Sequence, residues 1–329
     1  MEKFKPIPEA KQKINKLLRV LELKPEKRVN WFIKRKKHLY STKCVNKKGQ
    51  LVFIKVVLDN KERFFASLKR EAQIIRYFTK NKSLIKKIKI APYLQGDFKK
   101  PVTWFTHCFV PGKKLGEFYD LFGTSTKYLK PLIANLVGLH KISSSHLRKI
   151  KRQIKELNTV EAKDYKKIIQ DHQRNSPKLR RLVDFESINC LLKKQFGYLK
   201  KAPIVLTHGD FTFSNQIVSQ GQIYLNDWEW VRFDNFCVDL AHLWVQSWRY
   251  PIWQRQLLKI YQQQLDKKLN KIFEECFKII VIVQALNELR WNVEICPEKY
   301  KKGASRFCLA TIKKVLQKQS LIGDGSVKA

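Results

Sequence analysis

Thr207-His208-Gly209-Asp210-Phe211-Thr212-Phe213-Ser214-Asn215, followed by Leu225-Asn226-Asp227-Trp228-Glu229, decides how this chain is read. The stretch sets an aspartate at 210, an amide at 215 and a second aspartate at 227. Three short apolar segments frame these groups. Ile204–Thr207, Gln216–Ser219 and Ile223–Asn226 each read as a strand bounded by turn residues. A turn closed by Asx side-chain hydrogen bonds accounts for Asp210 or Asn215 alone. It does not account for their spacing together with Asp227. One carboxylate to orient an attacking hydroxyl, with an amide and a carboxylate to hold magnesium, is what phosphoryl transfer requires.

Working back toward the N-terminus, residues 8–24 carry Ile14, Leu17, Leu18 and Leu21 at helical spacing. Strands are expected around Val29–Lys34, His38–Val45 and Leu51–Leu58, the last two joined as a hairpin by the turn signal Asn46-Lys47-Lys48-Gly49. In Leu51-Val52-Phe53-Ile54-Lys55-Val56-Val57-Leu58 the only charge is Lys55, and a strand this apolar is buried on both faces. A buried ammonium needs a partner or loses its charge. Residues 62–79 read as an amphipathic helix capped by Asp59 or Asn60, with Phe64, Leu68, Ile75 and Phe78 along one stripe. Glu71 fills the gap in that stripe and therefore faces the strands. The bland readings are a lysine that snorkels from an edge strand and an exposed helix glutamate. Further strands are expected around Ile88–Leu94 and Val102–Val110, and Pro111-Gly112 is a hinge candidate.

Beyond residue 112 the pattern turns helical. Ser125–Ser143 places Leu129, Leu132, Ile133, Leu136 and Leu139 on one side, 146–200 is polar and basic with helical character, and 237–320 is almost wholly helical. The chain thus divides into a small strand-rich lobe, 1–110, and a large helical lobe, 111–329, an α+β arrangement. Six of the eight tryptophans fall between Trp228 and Trp291. They read either as core or as aromatic walls of an acceptor site.

The 329 residues, 44% hydrophobic, can bury a substantial core. The run Ile279-Ile280-Val281-Ile282-Val283 is far shorter than the ~20 residues of a membrane span. The opening Met1-Glu2-Lys3-Phe4-Lys5 leads into no apolar segment, so no secretory leader is expected. Seven scattered cysteines without a Cys-x-x-Cys pair argue against a disulfide framework or zinc site and for a reducing cytoplasm. The net charge of +39 would suit a polyanion, but it rests on 51 lysines against 16 arginines spread through every segment. Base and phosphate readout favours arginine forks, so lysine-rich composition explains the charge better, and any nucleic-acid contact would be non-specific.

His208-Gly209-Asp210 with Asn215, then Asp227-Trp228-Glu229 and Asp239-Leu240-Ala241, resembles the aminoglycoside phosphotransferase and choline kinase family. The resemblance takes in Lys55, Glu71, Phe109-Val110-Pro111-Gly112 and Leu139-His140, and spans roughly residues 28 to 245. It implies a protein-kinase-like fold, with a small antiparallel-sheet N-lobe and a large mainly helical C-lobe. It implies that Asp210 orients or deprotonates the acceptor hydroxyl, and that Asn215 and Asp227 hold Mg2+. Lys55, fixed by Glu71, would contact the phosphates of ATP or GTP, and the base would meet backbone groups near Cys108 and Val110. His208 and Asp239 would brace the catalytic loop. One feature departs from protein kinases: the turn Lys34-Arg35-Lys36-Lys37-His38 carries no glycine, so backbone cradling of phosphates is not expected there.

The implied acceptor is a small molecule: a choline-like alcohol, a sugar or a related metabolite, with an aminoglycoside as a further candidate. Glu274, Glu275, Glu288, Glu294 and Glu298 could supply negative charge for a cationic acceptor. The competing readings are a catalytically inactive kinase-like binding module and a basic polyanion-binding protein. A protein kinase is disfavoured, because glycine replaces the arginine of His-Arg-Asp and no Asp-Phe-Gly or Ala-Pro-Glu segment is present.

Overall fold

The hairpin signalled by Asn46-Lys47-Lys48-Gly49 forms. The Asn46 side chain accepts from the N–H groups of Lys48 and Gln50 at 3.0 and 2.9 Å, and Gly49 takes φ +75°. The structure, a computed structural model, describes residues 8–26, 39–58, 62–99, 102–117, 119–123, 126–294, 298–317, 319 and 321. The strand expected at Val29–Lys34, the glycine-free turn Lys34–His38 and the caps Asp59 and Asn60 lie outside the described residues.

The strand-rich part runs α1 (Pro8–Val20), β1 (Lys24–Pro25), β2 (Leu39–Val45), β3 (Leu51–Val57), α2 (Glu62–Lys80), α3 (Lys82–Lys87), β4 (Tyr93–Asp97) and β5 (Thr103–Cys108). Short strands β6 (Lys113–Lys114), β7 (Gly116–Glu117) and β8 (Asp120–Leu121) lead into α4 (Leu129–His140), α5 (Ser144–Gln153), α6 (Asp164–Asn175), α7 (Pro177–Leu182) and α8 (Phe185–Lys201). Then come β9 (Ile204–Thr207), β10 (Gln216–Ser219), β11 (Gln222–Leu225), β12 (Arg232–Asn235), α9 (Val238–Gln246), α10 (Pro251–Gln262), α11 (Lys267–Glu294) and α12 (Glu298–Leu316).

The first five strands form one antiparallel sheet in the order β1-β2-β3-β5-β4. Alternation on β3 sends Val52, Ile54 and Val56 to one face, where they pack with Ile14 and Leu18 of α1 in a small separate core. Lys55 and Val57 take the other face, toward α2. Covering the sheet on both sides is what makes β3 apolar along its length. Phe64, Leu68, Ile75 and Phe78 of α2 are all buried, and so is Glu71 between them.

Two sequence expectations need correction. The strand placed at Ile88–Leu94 begins only at Tyr93, and α3 precedes it. The segment before β4 leaves the sheet because Lys89 and Ile90 dock on β11: Leu225 donates to the Lys89 carbonyl at 2.8 Å, and Ile90 pairs with Leu225 in a single parallel bridge. Strand β12 was not anticipated. It pairs antiparallel with β9, and its polar sequence shows no alternation because Asp234 is buried against Arg232 (2.7 Å) and Tyr165.

The helical part builds the larger core around α11, whose middle, from Ile279 to Leu286, is buried on nearly every side. Helix α4 carries Asn135 inside its apolar face. This amide accepts from Lys89 N–H at 2.8 Å and donates to Ile223 C=O at 2.7 Å, so it fixes β11 to the segment entering β4. Among the described residues no helix is long and apolar enough to cross a membrane.

Candidate active site

Three stretches far apart in sequence meet at one ammonium. Lys55 Nζ donates to both Glu71 carboxylate oxygens, at 2.7 and 2.9 Å, and to Asp227 Oδ1 at 2.8 Å. Burial works against the Lys55 charge, but Asp227 and Glu71 outweigh it and hold its pKa above the ordinary lysine value. Glu71 also accepts from Trp228 N–H at 3.2 Å, so α2 fixes the backbone just after Asp227. Arg70, the neighbour of Glu71, donates to the carbonyls of Glu229 and Glu156. Asp227 itself sits at φ +66°, a left-handed conformation that costs a non-glycine residue ~1–3 kcal/mol and that surrounding bonds must enforce.

The loop after β9 carries the second half. Asn215 Nδ2 donates to Asp210 Oδ2 at 2.8 Å and to the Asp210 carbonyl at 3.0 Å. The Asn215 carbonyl accepts from Asn226 N–H at 2.9 Å, which brings Asp210, Asn215 and Asp227 to one end of the β10–β11 hairpin. Asp239, in the first turn of α9, accepts from the N–H groups of His208 (2.7 Å) and Gly209 (2.9 Å). Burial raises its carboxyl to about 6, against the pull of those two bonds.

His208 is fully buried, and its Nε2–H donates to the Asn226 carbonyl at 3.0 Å. Because a carbonyl only accepts, that bond assigns the proton to Nε2. Burial keeps the ring neutral by lowering its pKa, although Asp210 and Asp227 pull upward. The ring packs against Trp228 at 4.6 Å and Phe211 at 6.0 Å. Gly209 takes φ +79°, and a Cβ there would lie 2.1 Å from the Trp230 carbonyl, so only glycine fits beneath this turn.

Cys108 and Val110 sit where β5 leaves the sheet. The Cys108 N–H is committed to the Pro92 carbonyl at 2.9 Å, and the Cys108 carbonyl accepts from His107 Nδ1 at 2.9 Å. No described residue accepts from the Val110 N–H.

The oxygen donors fit magnesium. Asn215 turns its N–H to Asp210 and keeps its amide oxygen as a donor, and Asp227 adds a carboxylate. Two hard oxygen ligands suffice for an ion that takes its remaining ligands from water and phosphate.

Sequence reasoning missed Arg70, Asn226 and Asn135. Asn135 left a signal, an amide within the apolar side of its helix. Arg70 and Asn226 left none: Arg70 donates to carbonyls of distant residues, and Asn226 acts through its own backbone, its carbonyl accepting from His208 Nε2. Of the tryptophans, Trp228, Trp244 and Trp253 are core, whereas Trp230 and Trp291 are exposed.

An antiparallel sheet carrying a lysine–glutamate pair, joined to a helical part with an aspartate–asparagine loop, defines the kinase-like class of phosphotransferase folds. The family described as phosphotransferase enzyme family matches residues 47–271, and the chain belongs to it. No curated protein matches the sequence. Among solved structures, the fold is similar to a thermostable mutant of aminoglycoside phosphotransferase APH(4)-Ia in ternary complex with ADP and hygromycin B, at 11% identity over 94% of this chain and 98% of that one, TM-score 0.58. It is similar to amicoumacin kinase hAmiN in complex with AMP-PNP, Ca2+ and Ami, at 13% identity over 95% of each chain, TM-score 0.59. It is also similar to a Plasmodium vivax ethanolamine kinase, at 16% identity over 85% of this chain and 81% of that one, TM-score 0.56.

Proposed function

We propose that this protein transfers the γ-phosphate of ATP, or of GTP, to a hydroxyl of a small molecule, with Mg2+ as cofactor. Residues 1–110 would bind the nucleotide, and residues 111–329 would carry the catalytic loop and the acceptor. The observation that carries this reading is the meeting of Lys55, Glu71 and Asp227 beside the Asp210–Asn215 pair. The solved structures of similar fold with ADP or AMP-PNP bound support it.

In this reading Asp210 accepts a hydrogen bond from the acceptor hydroxyl and takes its proton as the new O–P bond forms and the bond to the departing ADP oxygen breaks. Asn215 holds Asp210 in place through its amide N–H. Magnesium held by Asn215 and Asp227 would neutralise charge on the phosphates. Lys55, kept ionised by its two carboxylate partners, would meet the phosphates as a fixed cation. Positioning and electrostatics do most of the work in this chemistry, so Asp210 need not be a strong base.

The test is Asp210→Asn in an ADP-release assay against alcohols, sugars and aminoglycosides, with nucleotide binding followed by calorimetry. Transfer should be abolished while magnesium–nucleotide affinity stays within about threefold, since a residue acting in the transition state contributes little to ground-state binding. Full transfer by this variant would sink the assignment.

A further inference from the structure

A cavity of ≈ 420 Å3 lies where the chain entering the helical part passes the turn of the β10–β11 hairpin. Its size falls within the ~300–1,000 Å3 of small-molecule sites. None of Lys55, Glu71, Asp210, Asn215 and Asp227 lines it. The cavity meets the hairpin at Ser219 and Gln220, the end opposite Asn215 and Asp227. At a rise of ~3.3 Å per residue, Ser219 is ~13 Å along β10 from Asn215.

Backbone bonds hold its walls. Lys113 and Lys114 of β6 pair with Val218 and Ile217 of β10. Leu115 donates to the Gln216 carbonyl at 2.8 Å, and Phe122 donates to the Leu115 carbonyl at 2.9 Å. Gly112 lies so close to the hairpin that a Cβ there would be 2.3 Å from the Val218 carbonyl. Tyr128, in the single helical turn before α4, closes the far side. The cavity is therefore formed before any ligand arrives.

The lining combines rings and cations. Phe122 is 58% exposed, and no other phenylalanine among the described residues is exposed. A single apolar side chain at the surface is ordinary, but this ring borders a cavity beside a second ring, Tyr128. Lys113 has no acidic partner among the described residues, whereas Lys114 has Glu117 at 3.6 Å. Lys127 lies over the Tyr128 ring, 4.9 Å from its centroid. Three cations thus border the cavity against one acid. A neutral aromatic compound would leave Lys113 unanswered, and a simple anion would leave the Phe122 ring in water. We infer that this cavity is a binding site for a small aromatic anion, separate from the phosphoryl-transfer centre, with the ring of the ligand against Phe122 and Tyr128 and its charge on Lys113.

The test is fluorescence titration of the whole protein with anilinonaphthalene sulfonate, a flat aromatic anion, beside its neutral counterpart phenylnaphthylamine. One equivalent of the sulfonate should bind. Lys113→Met should weaken it by about fivefold, the upper end for a partly exposed charge pair, and leave the neutral dye unchanged. Phe122→Ala should weaken both dyes by about threefold to tenfold. Both side chains are exposed, so neither substitution should move the melting temperature. Saturating magnesium–ATP should leave the sulfonate bound. Unchanged sulfonate affinity in both variants, equal weakening of the two dyes by Lys113→Met, or displacement of the sulfonate by magnesium–ATP would overturn the inference. Asp210→Asn should leave every one of these titrations unaltered, so the cavity and the phosphotransferase reading stand or fall separately.

Discussion

Lys55 and Asp227, 172 residues apart in sequence, meet at 2.8 Å while Lys55 holds both oxygens of Glu71. This contact joins the sheet to the end of the β10–β11 hairpin and ties α2, β3 and the residues after β11 to one ammonium.

Replacing Lys55 by Met leaves Glu71 buried and without its counter-charge. The expected loss is about 3–5 kcal/mol in urea unfolding, the range for breaking one side of a buried pair. The double variant Lys55→Met with Glu71→Leu should regain a large part of that loss, because it no longer buries an uncompensated charge. Equal stability of the single and double variants would show that the pair is not coupled.

Gly209 is required by its geometry. Gly209→Ala places a Cβ against the Trp230 carbonyl at a backbone angle of +79°. We expect about 3 kcal/mol of destabilisation or a displaced catalytic loop, read by unfolding and by loss of transfer. A variant with native stability and turnover would contradict the fit.

Asn135→Ala removes the two side-chain bonds through which α4 bridges Lys89 and β11, leaving the Lys89 N–H and the Ile223 carbonyl without their partner while the direct Leu225–Lys89 bond stays. The expected cost is about 2–4 kcal/mol. Amide exchange should quicken first at Lys89 and Leu225, and uniform exchange across the protein would argue against a local tie.

Burial lowers the His107 imidazole from the ordinary 6.5 to about 4. A histidine whose folded value is depressed contributes stability that is fully present above pH 6.5 and is lost as pH falls toward 4. Within that window the loss is about 1.4 kcal/mol per pH unit. His107→Phe removes the unpartnered Nε2 and should flatten this part of the pH profile of urea midpoints. An unchanged slope would place the titration elsewhere.

Much of the site was legible because its signals are local. A single charge in an uninterrupted apolar strand marked Lys55 as buried and in need of a partner, and a gap in an apolar helical stripe marked the side of α2 from which Glu71 projects. The spacing of Asp210, Asn215 and Asp227 needed only one hairpin to bring them together. Strand β12 stayed hidden because its buried charges are satisfied by Arg232 and Tyr165, one of them in a distant helix. The start of β4 was misplaced because Lys89 and Ile90 pair with β11 rather than with the sheet.

By itself the sequence determined most of the long helices and apolar strands, the lobes they suggest and the identity of the polar groups, since periodicity and turn chemistry act over a few residues. Tertiary structure alone decided that Lys55 reaches Asp227, that Arg70 holds the Glu229 carbonyl, and that Lys113 is left without an acid among the described residues. Those outcomes depend on which distant surfaces pack together and on which charges packing leaves unpaired, and no local pattern records either.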